Sequence, residues 1–336
     1  MDNVIAALRQ SNRVCQVALD ICGWQSERVL APMQVPFPEL TDLHLFSQDE
    51  TPPVIPDSFL RGSAPDLRYL TLGYISFPAL PKLLLSATHL VRLCLYHIPH
   101  SNYFPPQAIV SSLSALSSLE ILQLGFQSPQ SRPDWGSRRP PASQRSVLPA
   151  LGNFYFKGVT EYLEELVTGI NAPQLSYANI TLFNQIDFVC PQLAQFISCT
   201  PALRALDQAH VQFNDNIANV TLRSRHWTFM SDIRLLITIS CEESDWQLSS
   251  IEQICNSLLP LSLVEDLHIE PCQYTRSILV WKNDAIENTL WLELLLPFIT
   301  VKNLYLSKEF APGVVAALRE LVGGRITQVL PSLENI

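Results

Sequence analysis

The chain has 336 residues, 47% of them hydrophobic and 16% charged, with a formal net charge of −9. That composition supports a sizeable buried core and excludes a disordered chain, and the negative charge argues against a general binder of nucleic acid or of anionic membranes. The length outgrows one simple globular core, which leaves a barrel, a repeat array or several domains.

The first residues, MDNVIAALRQSNR, lack a basic segment followed by a long apolar run and do not read as a signal peptide. From residue 14 onward an apolar triplet recurs, LxxLxL with any apolar residue at each L. Alternate side chains of a strand share a face, so each copy predicts a short strand whose second and third L point inward. VCQVAL (14–19) and LTDLHL (40–45) come first, then a Pro-rich return, TPPVIPDSFLRG (51–62). LRYLTL (67–72) and LVRLCL (90–95) follow. His97-Ile-Pro-His100 is an HxxH, but Pro99 predicts a loop there and no third ligand accompanies it, so no metal site is expected. PPQAIVSSLSALSS (105–118) opens with prolines, which a first helical turn tolerates, and predicts a helix before the strand LEILQL (119–124).

Segment 127–147, QSPQSRPDWGSRRPPASQRSV, is rich in Pro, Ser and Arg and predicts a surface loop, basic through Arg132, Arg138, Arg139 and Arg145. After the strand LGNFYF (151–156), VTEYLEELVTGI (159–170) spaces Tyr162, Leu163, Leu166 and Ile170 on one helical face. LSYANI (175–180) is the next copy, and LRALDQ (203–208) is a weaker one. Segment 211–248 holds the β-type runs NVTLRS and RLLITIS before the acidic CEESDW; it predicts a strand-rich irregular repeat with room for a hairpin. CEESD reads as a solvated turn rather than a cation site. Helices at 250–261, 286–298 and 311–324 alternate with VEDLHI (264–269) and VKNLYL (301–306). The last helix ends on a glycine pair suited to a C-cap, and LENI (333–336) begins a further copy.

Copies start about 29 residues apart, the period of leucine-rich repeats. A unit of that size cannot bury its own apolar face, so neighbours must stack. The predicted fold class is α/β: a leucine-rich-repeat solenoid, a curved parallel sheet with helices and irregular returns on the convex side, as one domain over 1–336. Twelve strands ~4.8 Å apart span ~50 Å, a scale suited to a macromolecule more than to a small substrate.

Eight cysteines are scattered without a CxxC or zinc-type spacing, mostly in apolar runs, which predicts free thiols and an intracellular, cytoplasmic or nuclear, location. Asn179-Ile-Thr and Asn219-Val-Thr then read as chance sequons. The run TLWLELLLPFITV (289–301) contains Glu293 and is too short to span a bilayer. No phosphate loop, GxGxxG or GxSxG occurs, so neither a cofactor nor an enzymatic activity is predicted.

VLPALGNFYFKGVTEYLEELVTGINAPQL (147–175) and ENTLWLELLLPFITVKNLYLSKEFAPGVVAALRELVGG (287–324) resemble the leucine-rich-repeat region of F-box proteins from mushroom-forming fungi. The RRPP loop, CPQLAQFISCTPAL (190–203) and DWQLSS (245–250) fit the same resemblance, which covers roughly 15–336. It implies that the repeats bind an unknown protein substrate of a cullin-based ubiquitin ligase. The Skp adaptor would dock only through an F-box, a helical segment opening with an LP-type motif, which is missing here because repeats begin by residue 14. The other open reading is a non-ligase scaffold, or a degenerate copy without a partner.

The third and fifth template positions, and the one after the sixth, point away from the core. They place Phe46, Tyr69, Arg92, Tyr96, Tyr155, Tyr177, His268 and Tyr305 on the concave face. Rigid amphipathic rings favour interfaces, so these residues are the candidate protein-binding set. His44 and His268 sit at equivalent positions on distant strands and are not expected to meet.

Overall fold

The computed structural model describes residues 1–130, 145–183, 190–225, 233–241, 244–272, 287–321 and 329–336. The fold is mixed α/β, with mostly parallel strands, and divides into two compact units, Met1–Leu175 and Ser176–Ile336.

In the first unit α1 (Asp2–Leu8) precedes β1 (Gln16–Asp20), α2 (Gly23–Leu30) and β2 (Asp42–Phe46). Then come β3 (Tyr69–Gly73), α3 (Leu80–Leu84), β4 (Arg92–Ile98), α4 (Pro106–Leu113) and β5 (Ile121–Phe126). A two-stranded ribbon of β6 (Ser146–Val147) and β8 (Ile170–Asn171) flanks β7 (Asn153–Gly158) and α5 (Thr160–Gly169). Strands β1, β2, β3, β4, β5 and β7 pair in that order, all parallel. Register aligns the second triplet residues, Val17, Leu43, Leu70, Leu93, Leu122 and Phe154, across the sheet. All six are buried, the last five completely.

A common turn precedes β2, β3, β4, β5 and β7. The first L donates its amide N–H to the carbonyl three residues earlier: Leu40 to Phe37, Leu67 to Ala64, Leu90 to Ala87, Leu119 to Leu116 and Leu151 to Leu148. Each accepting residue is buried and apolar, so the repeat has a fourth apolar position ahead of the triplet. Two residues into the next repeat's strand entry, paired N–H groups converge on one carbonyl. Thr41 accepts from Arg68 and Tyr69, Arg68 from Val91 and Arg92, and Val91 from Glu120 and Ile121.

In the second unit β9 (Tyr177–Leu182), α6 (Pro191–Cys199), β10 (Gln208–Phe213), β11 (Ile217–Arg223) and β12 (Ile233–Ser240) come first. They are followed by α7 (Ser244–Ser257), β13 (Asp266–Pro271), α8 (Asn288–Leu295), β14 (Asn303–Leu306) and α9 (Ala311–Glu320). The spatial order is β9-β12-β11-β10-β13-β14, and β11 runs antiparallel to both its neighbours. An Asx-type turn makes the reversal: the Asn214 side-chain carbonyl accepts from Asn216 N–H at 2.8 Å and Ile217 N–H at 2.7 Å. The sheet is therefore not wholly parallel, and β12, not β10, lies beside β9. Behind it Phe213, Trp291 and Phe310 form an edge-packed cluster.

Several sequence expectations shift. The copy at 203–208 is misplaced: the strand triplet is Leu206, Ala209 and Val211, and Leu203 fills the fourth apolar position. The helix expected at 250–261 begins at Ser244, inside the acidic segment, and ends at Ser257; residues 242–243 lie outside the described set. Ile170 is buried but belongs to β8 rather than to α5. Residues 131–144 of the Pro/Arg-rich segment, and the glycine pair 323–324, also lie outside the described residues. Cys94, Cys190, Cys241, Cys255 and Cys272 are buried, whereas Cys15, Cys22 and Cys199 are exposed; all eight are free thiols. No described helix is long and apolar enough to cross a membrane.

Leu93, fully buried in the central row, and Leu85, 56% exposed after α3, test the packing argument within one repeat. Leu93→Ala should lower stability by ~2–5 kcal/mol, and Leu85→Ala should change it by less than ~0.5 kcal/mol, both read from urea unfolding midpoints.

Candidate sheet-face binding site

Matched register turns the outward positions of the first unit into straight rows. One row is Asp42, Tyr69, Arg92, Ile121 and Asn153; the next is His44, Thr71, Cys94, Gln123 and Tyr155. Phe46, Tyr69, Tyr96 and Tyr155 are half-buried and Arg92 is exposed, with its guanidinium carbon 6.0 Å from the Tyr69 ring centre. Thr71 and Cys94, expected on an open surface, are buried, because short side chains in the middle of a row lie below the tips of longer neighbours. Burial pushes the Cys94 thiol up, so it is held as the thiol rather than as a nucleophilic thiolate.

His97 lies inside β4 rather than in a loop, and His100 is exposed in the turn that follows. The His97 ring stacks on Tyr74, a contact that the LxxLxL template misses because both residues fall after the triplet.

On the second unit Tyr177 is half-buried on β9. His268 lies between two rings: His210 at 4.3 Å and 5°, and Tyr305 at 4.3 Å and 12°. Tyr305 closes the stack and is 49% exposed. His44 and His268 do lie on different strands of different units. Sequence reasoning missed His210 because it set that copy three residues early. The alternation Gln208, His210, Gln212 against Asp266, His268, Glu270 carried the signal, and these residues pair one to one.

Hydrogen bonds tie the stack to the sheet. Nδ1 of His210 and Nε2 of Gln212 donate to Glu270 Oε1 at 3.0 and 2.9 Å. Those bonds, His210's first, hold the Glu270 carboxyl down at about 2 despite burial. Burial, then the neighbouring His210, lowers the pKa of His268. Asp266, expected on the open face, is only 5% exposed. Burial raises its pKa, but bonds from Arg225, Asn303 and Gln208 outweigh that and leave it depressed. Arg225 Nε donates at 2.7 Å, Asn303 Nδ2 at 2.8 Å and Gln208 Nε2 at 3.1 Å. A buried carboxylate so fully satisfied is a structural anchor.

Among the described residues, no group of three or more His, Cys, Asp or Glu side chains is placed to hold a metal ion. The arrangement offers ring faces, amides and a few fixed charges. No protein-family profile matches the sequence, and no curated protein matches it.

The folded state holds fewer protons than the unfolded chain at Glu270, Asp266 and His268, so stability rises with pH. The share from Glu270 is complete above its ordinary value of 4.5 and is lost as pH falls toward about 2. His268 disfavours its proton, so stability also declines as pH drops below 6.5. Glu270→Gln should cost ~1–3 kcal/mol at pH 7 and flatten the acidic part of the profile. Urea midpoints measured across that pH range check both.

Proposed function

We propose that this chain is a protein-interaction module, built as a leucine-rich-repeat solenoid and resembling the substrate-recognition part of an F-box ubiquitin ligase subunit. The row geometry carries the reading. In the first unit alone, outward side chains line up over five neighbouring strands, a span of ~19 Å at ~4.8 Å per strand. Such a surface suits an extended or folded protein partner better than a small substrate. Half-buried Phe46, Tyr69, Tyr96 and Tyr155 supply rigid contact area there, and Tyr177, His268 and Tyr305 supply it on the second unit. The repeats contact the target protein, an F-box joined to them contacts the Skp adaptor, and no catalytic step falls to this chain.

An adaptor pull-down tests the division of labour. The chain 1–336 is expected not to retain a Skp adaptor, and a fusion carrying an F-box ahead of Met1 is expected to retain it; retention by 1–336 alone would refute the assignment. With a partner in hand, Tyr96→Ala combined with Tyr155→Ala should weaken capture about tenfold or more and leave the urea midpoint within ~0.5 kcal/mol equivalents of the parent.

A further inference from the structure

The outward residues of β10 and β13 pair one to one: Gln208 with Asp266, His210 with His268 and Gln212 with Glu270. That register sets two imidazoles directly opposite each other in the middle of the row. Neighbouring strands lie ~4.8 Å apart, close to the thickness of a stacked ring pair, and the two rings meet face to face at 4.3 Å and 5°. β14 continues the spacing: Tyr305 pairs with His268 and stacks on its other face at 4.3 Å and 12°. The backbones of His210 and His268 are held by the ladder, so the rings can part only by side-chain rotation.

Charge is spread unequally over the pair. His210 Nδ1 lies 3.0 Å from Glu270 Oε1, so a proton on His210 meets a carboxylate. The groups that face His268 are His210 on β10, Asp266 and Glu270 on its own strand, Arg223 on β11 and Tyr305 on β14. Both carboxylates are already engaged: Glu270 by His210 and Gln212, and Asp266 by Arg225, Asn303 and Gln208. Lys302 of β14 turns to Glu265 at 2.7 Å. Arg223 adds positive charge from beyond β10. A second proton on the pair therefore sets like charges face to face, whereas a charged imidazole is still attracted to the face of a tyrosine. Tyr305, 49% exposed, has solvent beside it and can yield.

Resting on the protein-interaction reading, which counts His268 and Tyr305 among the contact residues, we propose that the His210–His268–Tyr305 stack is an acid-operated release for the partner protein. With the imidazoles neutral, or with one proton held between His210 and Glu270, the three rings stand as one rigid contact ridge. The second proton parts His268 from His210, carries Tyr305 along and breaks up the ridge, so the partner leaves as pH falls. Histidine is the side chain whose charge changes in the physiological range, and protonation of clustered histidines rearranges interfaces in this way. Burial, then His210, keeps the proton off His268 at neutral pH, which puts the release below pH 6.5.

The release is read first without a partner, in NMR spectra of the full chain with isotope-labelled histidine and tyrosine rings, the signals assigned by His210→Phe, His268→Phe and Tyr305→Phe. From about pH 7.5 down to about pH 5, the Tyr305 signals should move in step with the titration of His268, while those of Tyr69 on the first unit stay in place. His268→Phe keeps a flat ring without a charge and should leave Tyr305 fixed across the range. Arg223→Gln should move the Tyr305 transition to higher pH and Glu270→Gln to lower pH, because the first removes a charge that opposes the second proton and the other removes one that favours it. Capture of an identified protein partner should be at least about fivefold weaker at about pH 5.5 than at about pH 7.5, and equal at both in His268→Phe. A Tyr305 signal that ignores the His268 titration, a transition that survives His268→Phe, or capture by the parent chain that is equal at both pH values would overturn the release. In each of those cases a partner still captured through the sheet face leaves the general reading standing. Capture that no sheet-face substitution alters would sink both.

Discussion

One backbone constraint governs the first unit: the strand entries from β2 to β7 are fixed by hydrogen bonds to the repeat before. A carbonyl such as that of Thr41 or Arg68 accepts two N–H groups from the next strand entry, which sets the register before any side chain is considered. Matched register brings Leu43, Leu70, Leu93 and Leu122 into one row, and that row becomes core only because the returns cover it. The same geometry lines up the opposite positions. A contact surface is thus a by-product of how the backbone groups are satisfied.

The triplets made most strands legible because a short strand beneath a helix has a strict alternation of buried and exposed positions, seen in β2 and β7. Legibility failed where the apolar positions outnumber three. Leu203, Leu206, Ala209 and Val211 are all buried, and a three-point template can be laid over the first pair or the second. Only the pairing of Ala209 and Val211 with Leu267 and Ile269 tells them apart, and that pairing leaves no mark in the sequence. The error hid His210, and with it the ring stack on the second unit. Helix ends were also blurred: Asp245 in CEESDW reads as a turn residue but lies in the first turn of α7, where an acidic residue is favoured by the helix dipole.

The ring cluster of Phe46, Tyr74, Tyr96 and His97 on the first unit was half legible. Phe46 and Tyr96 follow from alternation, whereas Tyr74 and His97 do not, because a bulge breaks the period of two. Nothing in Gly73-Tyr74 or Tyr96-His97 announces left-handed backbone at a residue with a Cβ. The two faces also differ in how their polar groups are held. On the second unit Asp266 and Glu270 are tied down by Arg225, Asn303, Gln208, Gln212 and His210. On the first, Arg92 is exposed, with its guanidinium carbon 6.0 Å from the Tyr69 ring centre.

The hairpin that places β12 beside β9 carries a cost during synthesis. β9 ends at Leu182 and its partner begins at Ile233, so ~50 residues must leave the ribosome before that strand edge is capped, several seconds at ~5–20 residues per second. In the first unit each new strand finds its neighbour already made. The nascent second unit is therefore where a chaperone has most to protect, since an apolar strand with an open edge invites pairing with other chains.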